Sequence, residues 1–257
     1  MSTSAASKPA HLPRDTTEAE WEVRVHLAAA YRLVARHGWD DLIYTHISAH
    51  VPGPEKHFLI NPFGMLFNEV TASSLVKVDL QGNIVNDTLY KINPAGFTIH
   101  SAVHAARPDA GCVMHLHTTA GVAISCQKQG LLPLNQTSLL LYNHLSYHDY
   151  EGIALNLDER ERLVKNLGDS NVMILRNHGT LTVGRTVAEA YVSMFFLERA
   201  CQMQIAAQSG GAELIMLPQA MRDLVQKQAQ AGFARPGDLE WPGLLRMLDR
   251  EDPSYRT

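Results

Sequence analysis

A single α/β domain, with helices interleaved among short strands, is predicted by three features of the sequence. Its 257 residues, 46% hydrophobic and 19% charged, suffice for one large soluble domain with a sizeable core. Long segments repeat apolar residues at helical spacing, as in Val23, Leu27, Ala30, Tyr31 and Val34, so that one face packs inward. Between them lie short β-branched or apolar runs bounded by Gly, Pro and Asn, the pattern of strands. No repeat, low-complexity linker or composition break divides the chain. Residues 1–17 are therefore expected as a flexible arm and 18–257 as the domain.

The elements follow in order. Thr17-Glu18-Ala19-Glu20 has capping-box spacing and opens a helix over 18–37 that Gly38 closes. Residues 42–51 alternate like a strand, and Phe58-Leu59-Ile60 forms a second that stops at Asn61-Pro62. Residues 76–80 and Ile84-Val85 flank Gln81-Gly82-Asn83 as a hairpin with its turn glycine in place. Pro94 opens a helix reaching about residue 106 and stopped by Pro108. A short helix is expected over 118–126, and another from the Asp158 cap to Gly168. The longest runs over 187–208 and is apolar nearly all round in its first half, hence buried or at an interface. Pro218 begins another helix. Trp241 and Leu244-Leu245 in the tail should dock on the body or on a neighbour.

Chemistry concentrates where two strand-like runs end. In Gly111-Cys112-Val113-Met114-His115-Leu116-His117 the two histidines stand at i and i+2 and share one face of a strand. A second run, Val172-Met173-Ile174-Leu175-Arg176, leads to Asn177-His178-Gly179, where Gly179 lets the chain turn. Two imidazoles on one strand face can present nitrogens to one cation at ~2.1 Å. Three neutral histidines hold Zn²⁺ or Fe²⁺ while leaving coordination positions free. Taken alone, a His-x-His pair also fits a polar strand edge or histidines paired in the core.

A formal charge of −4 gives no reason to expect nucleic acid or an anionic membrane as partner. No apolar stretch approaches the length of a membrane span, and the N-terminus lacks the apolar core of a secretory signal. Cys112, Cys126 and Cys201 are odd in number and far apart, which argues against a disulfide framework and for the cytoplasm.

Beyond these local patterns, the chain resembles the class II aldolase/adducin family over roughly residues 20–208. The resemblance is carried by Ile43-Tyr44-Thr45-His46-Ile47-Ser48, Leu59-Ile60-Asn61-Pro62-Phe63-Gly64, the stretch from Thr71 to Asn83, and Ile99-His100-Ser101-Ala102-Val103-His104-Ala105-Ala106-Arg107-Pro108-Asp109. It continues through His115-Leu116-His117-Thr118, Tyr147-His148-Asp149-Tyr150-Glu151-Gly152 and Arg176-Asn177-His178-Gly179. Several blocks are nearer to the adducin head than to the sugar-phosphate aldolases. The resemblance implies a three-layer αβα fold with a mostly antiparallel central sheet. It also implies a divalent metal, zinc before iron or manganese, on His115, His117 and His178, and a homotetramer with sites at subunit interfaces.

The same resemblance exposes departures. The acid/base glutamate of such aldolases falls at Gly96, which can neither ligate nor accept a proton. The phosphate-holding Gly-Asn-x-Ser stretch is Thr45-His46-Ile47-Ser48, the following turn is Phe63-Gly64, and a Ser-Ser pair is replaced by Pro94-Ala95. The proton-donating tyrosine falls near Thr137. A small carbonyl compound is therefore expected as substrate, and a sugar phosphate is not. Thr45, His46, Asn61 and Gly64 are candidates to bind it, with His100, Tyr142 and Tyr150 as catalytic candidates. Gln136, His144, His148 and Asp149 lie in the same segment as the two tyrosines, although the stretch 147–150 also reads as a structural strand and turn. His100 and His104, at i and i+4, are a second metal pair or packing histidines. His46 is expected in the pocket and His50 towards solvent. Three functions remain open: a metal-dependent lyase working by retro-aldol cleavage or decarboxylation, a mononuclear non-haem iron oxygenase, or an adducin-like interaction module of cytoskeletal type with a relic site.

Overall fold

The computed structural model describes residues 16–153, 158–232 and 235–257, so the expected N-terminal arm lies almost wholly outside them. Helix α1 (Glu18–Arg36) starts where Thr17 Oγ1 accepts from the Glu20 N–H at 3.1 Å. The Glu20 carboxylate does not return to the cap. It binds Arg24 and Lys77, each at 2.9 Å, and Arg24 also donates to the Ala72 and Leu75 carbonyls, so the buried carboxylate is paired with two cations.

Seven strands form one sheet in the order β3-β2-β1-β4-β7-β6-β5. They are β1 (His46–His50), β2 (Phe58–Ile60), β3 (Val76–Val78), β4 (Cys112–Leu116), β5 (Leu145–His148), β6 (Val172–Leu175) and β7 (Gly179–Gly184). Only β5 and β6 run parallel, so the sheet is mixed and mostly antiparallel. Alternation sorts the strand residues onto two faces. Ile47, Ala49, Cys112, Met114, Ile174 and others pack against α1 and the long α6 (Val187–Ser209). Val113, Met173, Leu175, Leu181 and Val183 pack against α2 (Pro94–Ala106) and α5 (Glu159–Leu167). The result is helix, sheet and helix in three layers. Short α3 (Thr119–Ser125) and α4 (Gln136–Tyr142) lie on the α6 side, where α4 also meets α7 (Gln219–Gly232). Helix α8 (Glu240–Glu251) is followed by a 3-10 turn, Pro253–Arg256.

Two expectations are corrected, and a third, left open between core and interface, resolves to core. The strand read over 42–51 begins only at His46. Leu42 (φ 55°) and Thr45 (φ 66°) are left-handed and close a tight turn bridged from Asp41 to Tyr44. The hairpin over 76–85 shrinks to β3 and one bridge, Val78 to Ile84, and β3 takes β2 as its strand partner on its other edge. The apolar start of α6 and Trp241 are core residues of this chain: Tyr191, Met194 and Leu197 are buried, and Trp241 packs 5.6 Å from the Tyr191 ring. They supply no exposed interface. Among the described residues no helix is long and apolar enough to cross a membrane.

One side chain joins α1 to the sheet. The buried Tyr31 hydroxyl donates to the Ile47 carbonyl at 2.5 Å and accepts from the Ile47 N–H at 2.8 Å. It also accepts from the Asn61 N–H at 3.3 Å, tying α1, β1 and β2 together. Tyr31→Phe should lower the unfolding free energy by about 1–3 kcal/mol, the cost of buried groups left without a partner. Urea denaturation checks this; an unchanged midpoint would show the hydroxyl to be dispensable.

Candidate metal centre

Strand β4 lies between β1 and β7, with His115 opposite His46 on one side and Leu181 on the other. His115 is the penultimate residue of the strand and His117 follows Leu116 just beyond it, both towards the α2 face. His178 comes from the turn between β6 and β7. This turn corrects the sequence reading. Its left-handed residue is Asn177 (φ 56°), whereas Gly179 already belongs to β7 and pairs with Leu175. Gly179 is needed for space: a Cβ there would lie 2.5 Å from the Leu116 carbonyl oxygen and 3.0 Å from His117 Cδ2.

The three histidines converge, with one donor atom from each within 4.8 Å of the others. Their ring centroids are 4.8 to 4.9 Å apart. The hydrogen bonds behind them fix the tautomers. His115 Nδ1 lies 3.0 Å from the Thr180 carbonyl oxygen, which can only accept, so Nδ1 carries the hydrogen. His117 Nδ1 likewise donates to Asp41 Oδ2 at 3.1 Å. In the neutral rings both Nε2 atoms are therefore bare, yet they stand only 3.0 Å apart. Two facing lone pairs repel, and a cation between them removes the repulsion. The donor set fits a divalent ion held by imidazole, with backbone and carboxylate partners behind the ligands.

The other predicted residues distribute unevenly. His46 is buried beside this cluster, its ring packed over Gly96. Thr45 is buried with Oγ1 unpartnered, and its positive φ turns the chain into β1. Asn61 is buried and held by Tyr31, a structural engagement. Gly64 (φ 100°) sits in an exposed turn beyond Phe63, whose ring is 6.4 Å from Tyr44. Tyr150 is half-exposed, with its ring 6.2 Å from that of His178. Tyr142 ends α4 and neighbours Tyr147, without a described contact to the histidine cluster. His100 is sealed in α2, with Nδ1 2.6 Å from Ser48 Oγ. His148 is buried between Asn166 and Glu159, at 2.9 and 3.4 Å. Asp41 and the Thr180 carbonyl escaped the sequence reading. Asp41 is 76 positions from its partner, and a backbone carbonyl leaves no trace in residue types.

Comparison with known proteins agrees with this architecture. The sequence model of the family described as Class II Aldolase and Adducin N-terminal domain matches residues 25–205. The crystal structure of an aldolase II superfamily protein from Pseudomonas syringae superposes with a TM-score of 0.91 at 54% identity, covering 95% of this chain and 98% of that one. An L-fuculose 1-phosphate aldolase from Glaciozyma antarctica superposes with a TM-score of 0.81 at 28% identity, covering 97% of each chain. Alpha-adducin of Rattus norvegicus is 45% identical over 91% of this chain, which spans 34% of that protein's length.

Burial disfavours protonation of His46, His115 and His178. Desolvation, then neighbouring imidazoles, hold His46 down to about 3, His178 to about 4, and His115 well below the ordinary value of 6.5. His104, also buried, falls to about 3. An unfolded imidazole takes up a proton near pH 6.5 that the folded one refuses. Stability is therefore full above that pH and is lost as pH falls towards the folded values. Chelator-stripped protein should begin to lose its native circular dichroism between about pH 6 and 4. A native spectrum persisting unchanged below that window would contradict the neutral, desolvated cluster.

Proposed function

The chain belongs to the class II aldolase and adducin N-terminal domain family, and on that premise we propose that it is a metal-dependent carbon–carbon lyase acting on a small hydroxy or keto compound. The observation that carries this reading is the pair of bare Nε2 atoms of His115 and His117, 3.0 Å apart with His178 beside them. His115, His117 and His178 hold the ion, and imidazole nitrogens at an open site suit zinc. Bound there, the ion supplies Lewis-acid polarisation of a carbonyl and balances the charge developing on its oxygen.

The residues around it define the rest. The Thr180 carbonyl and the Asp41 carboxylate hold the His115 and His117 rings in one tautomer and one orientation. Tyr150, exposed beside His178, is the proton donor to the carbon left after cleavage. Gly96 offers no base. Decarboxylation therefore suits the site better than retro-aldol cleavage, since departure of CO₂ leaves its electron pair on the substrate without prior proton removal. The likeness to an L-fuculose 1-phosphate aldolase supports the reaction class. The phosphate does not carry over: exposed Tyr44 and Phe63 make an apolar lip, and Asn61 is engaged with Tyr31.

A second reading, an interaction module, draws support from the likeness to alpha-adducin. Metal content separates the readings. Purified wild-type protein should carry one zinc per chain and release CO₂ or an aldehyde from a hydroxy or keto acid in a substrate screen. His117→Ala should lose both the metal and at least 100-fold in rate, as expected for a lost electrostatic stabiliser, while keeping its fold. A metal-free wild type favours the module, and one loaded with iron favours oxygen chemistry at the same histidines. Rapid cleavage of fuculose or rhamnulose phosphate would overturn the substrate class.

The working unit is a homotetramer in the cytoplasm. Leu42, Tyr44, Phe63 and Tyr150 are exposed large apolar side chains on the segments flanking the histidines, and a neighbouring copy would cover them. Light scattering should give a particle about four times the 28.5 kDa chain. A fully active particle of single-chain mass would exclude the assembly.

A further inference from the structure

Three buried ring nitrogens on the α2 face have no hydrogen-bond partner: Nδ1 and Nε2 of His46, and Nε2 of His100. Native proteins pair nearly all such atoms, so three in one place call for a missing ligand. Their protonation can be traced from the far end. His104 Nδ1 lies 3.1 Å from the Ala110 carbonyl oxygen, which only accepts, so it carries the hydrogen and leaves Nε2 bare. Ser48 Oγ, 2.7 Å away, donates its single hydrogen to that Nε2. It must then accept from His100 Nδ1 at 2.6 Å. The chain Ala110–His104–Ser48–His100 thus leaves His100 Nε2 as a fixed, bare acceptor.

What faces that acceptor is His46. The two rings are 5.8 Å apart between centroids and nearly perpendicular, at 82°. On its other side His46 stands opposite His115 in the β1–β4 register, with both side chains on one sheet face. The ring fits only because residue 96 is glycine: a Cβ there would lie 2.5 Å from His46 Cγ and Cδ2. The left-handed Thr45 (φ 66°) immediately before it marks backbone held in an unfavourable conformation to set this entry.

We infer that His46 is a fourth nitrogen ligand of the metal site, one ring nitrogen meeting the ion and the other donating its N–H to His100 Nε2. This rests on the metal reading given above. One ion and one hydrogen bond then satisfy all three stranded nitrogens. The arrangement is that of a ligating histidine whose second nitrogen is held by a partner, and a substrate oxygen would then enter as a fifth ligand, a coordination number that catalytic zinc can reach. His100, Ser48 and His104 are positioning residues. His46 lies outside the trio whose donor atoms are within 4.8 Å, so ligation requires its ring to shift towards them.

The test uses the full chain loaded with Zn²⁺ alone. X-ray absorption should count four imidazoles in the wild type and three in His46→Ala. Chelator competition should show His46→Ala binding about 100-fold more weakly. Ser48→Ala should keep four imidazoles but bind about tenfold more weakly, the lower end of the range for a lost supporting partner. Ser48→Thr, which keeps the hydroxyl, should restore most of the affinity. Three imidazoles in the wild type with no change in His46→Ala would overturn the fourth ligand and leave the trio standing. A wild type that takes up no Zn²⁺ removes both. Should His46→Ala fail to fold, Ser48→Ala decides, and wild-type affinity in that variant overturns the inference.

Discussion

The close approach of β7 to β4 at Gly179 is the constraint on which the site depends. A side chain there would collide with the Leu116 carbonyl and the His117 ring. Because none is present, β7 can run close enough for the Thr180 carbonyl to reach His115 Nδ1. The turn before it then carries His178 back to the two β4 histidines. One missing Cβ thus sets the strand distance, one tautomer and the meeting of residues more than 60 positions apart in sequence.

Around that contact the backbone is held in conformations that it would otherwise avoid. Among the described residues, the non-glycine ones with positive φ, Leu42, Thr45 and Asn177, all flank the histidines. Each such residue costs on the order of 1–3 kcal/mol and persists only where its surroundings over-determine it. The surroundings here are Tyr31, which clamps β1 and β2 to α1, and the sheet register on both sides of β4. The strain buys direction: the 41–45 turn aims Asp41 at His117 and leads His46 into the sheet.

Much of this was legible in the sequence. Helices α1, α2, α3 and α5 announce themselves through Thr17, Asn93-Pro94, Thr118 and Gly168, which are local signals. The convergent histidine trio was legible because His-x-His on a strand and a histidine before a glycine are also local. Strand β7 was hidden by its flanking glycines, and α8 by Pro242 and Gly243 inside its first turns. The burial of α6 was legible as apolarity, but whether the chain itself or another copy covers it depends on tertiary packing. Asp41 and Gly96 gained meaning only from partners far away in sequence, as did Gly179, which reads locally as a turn residue and acts as a spacer.

Anomalous diffraction at the zinc edge from crystals of the wild-type protein tests the central claim most directly. The account requires one peak per chain, within ~2.0–2.1 Å of a nitrogen from each of His115, His117 and His178. Crystals grown with zinc that show no peak among these rings, or a peak held by other residues, would contradict it.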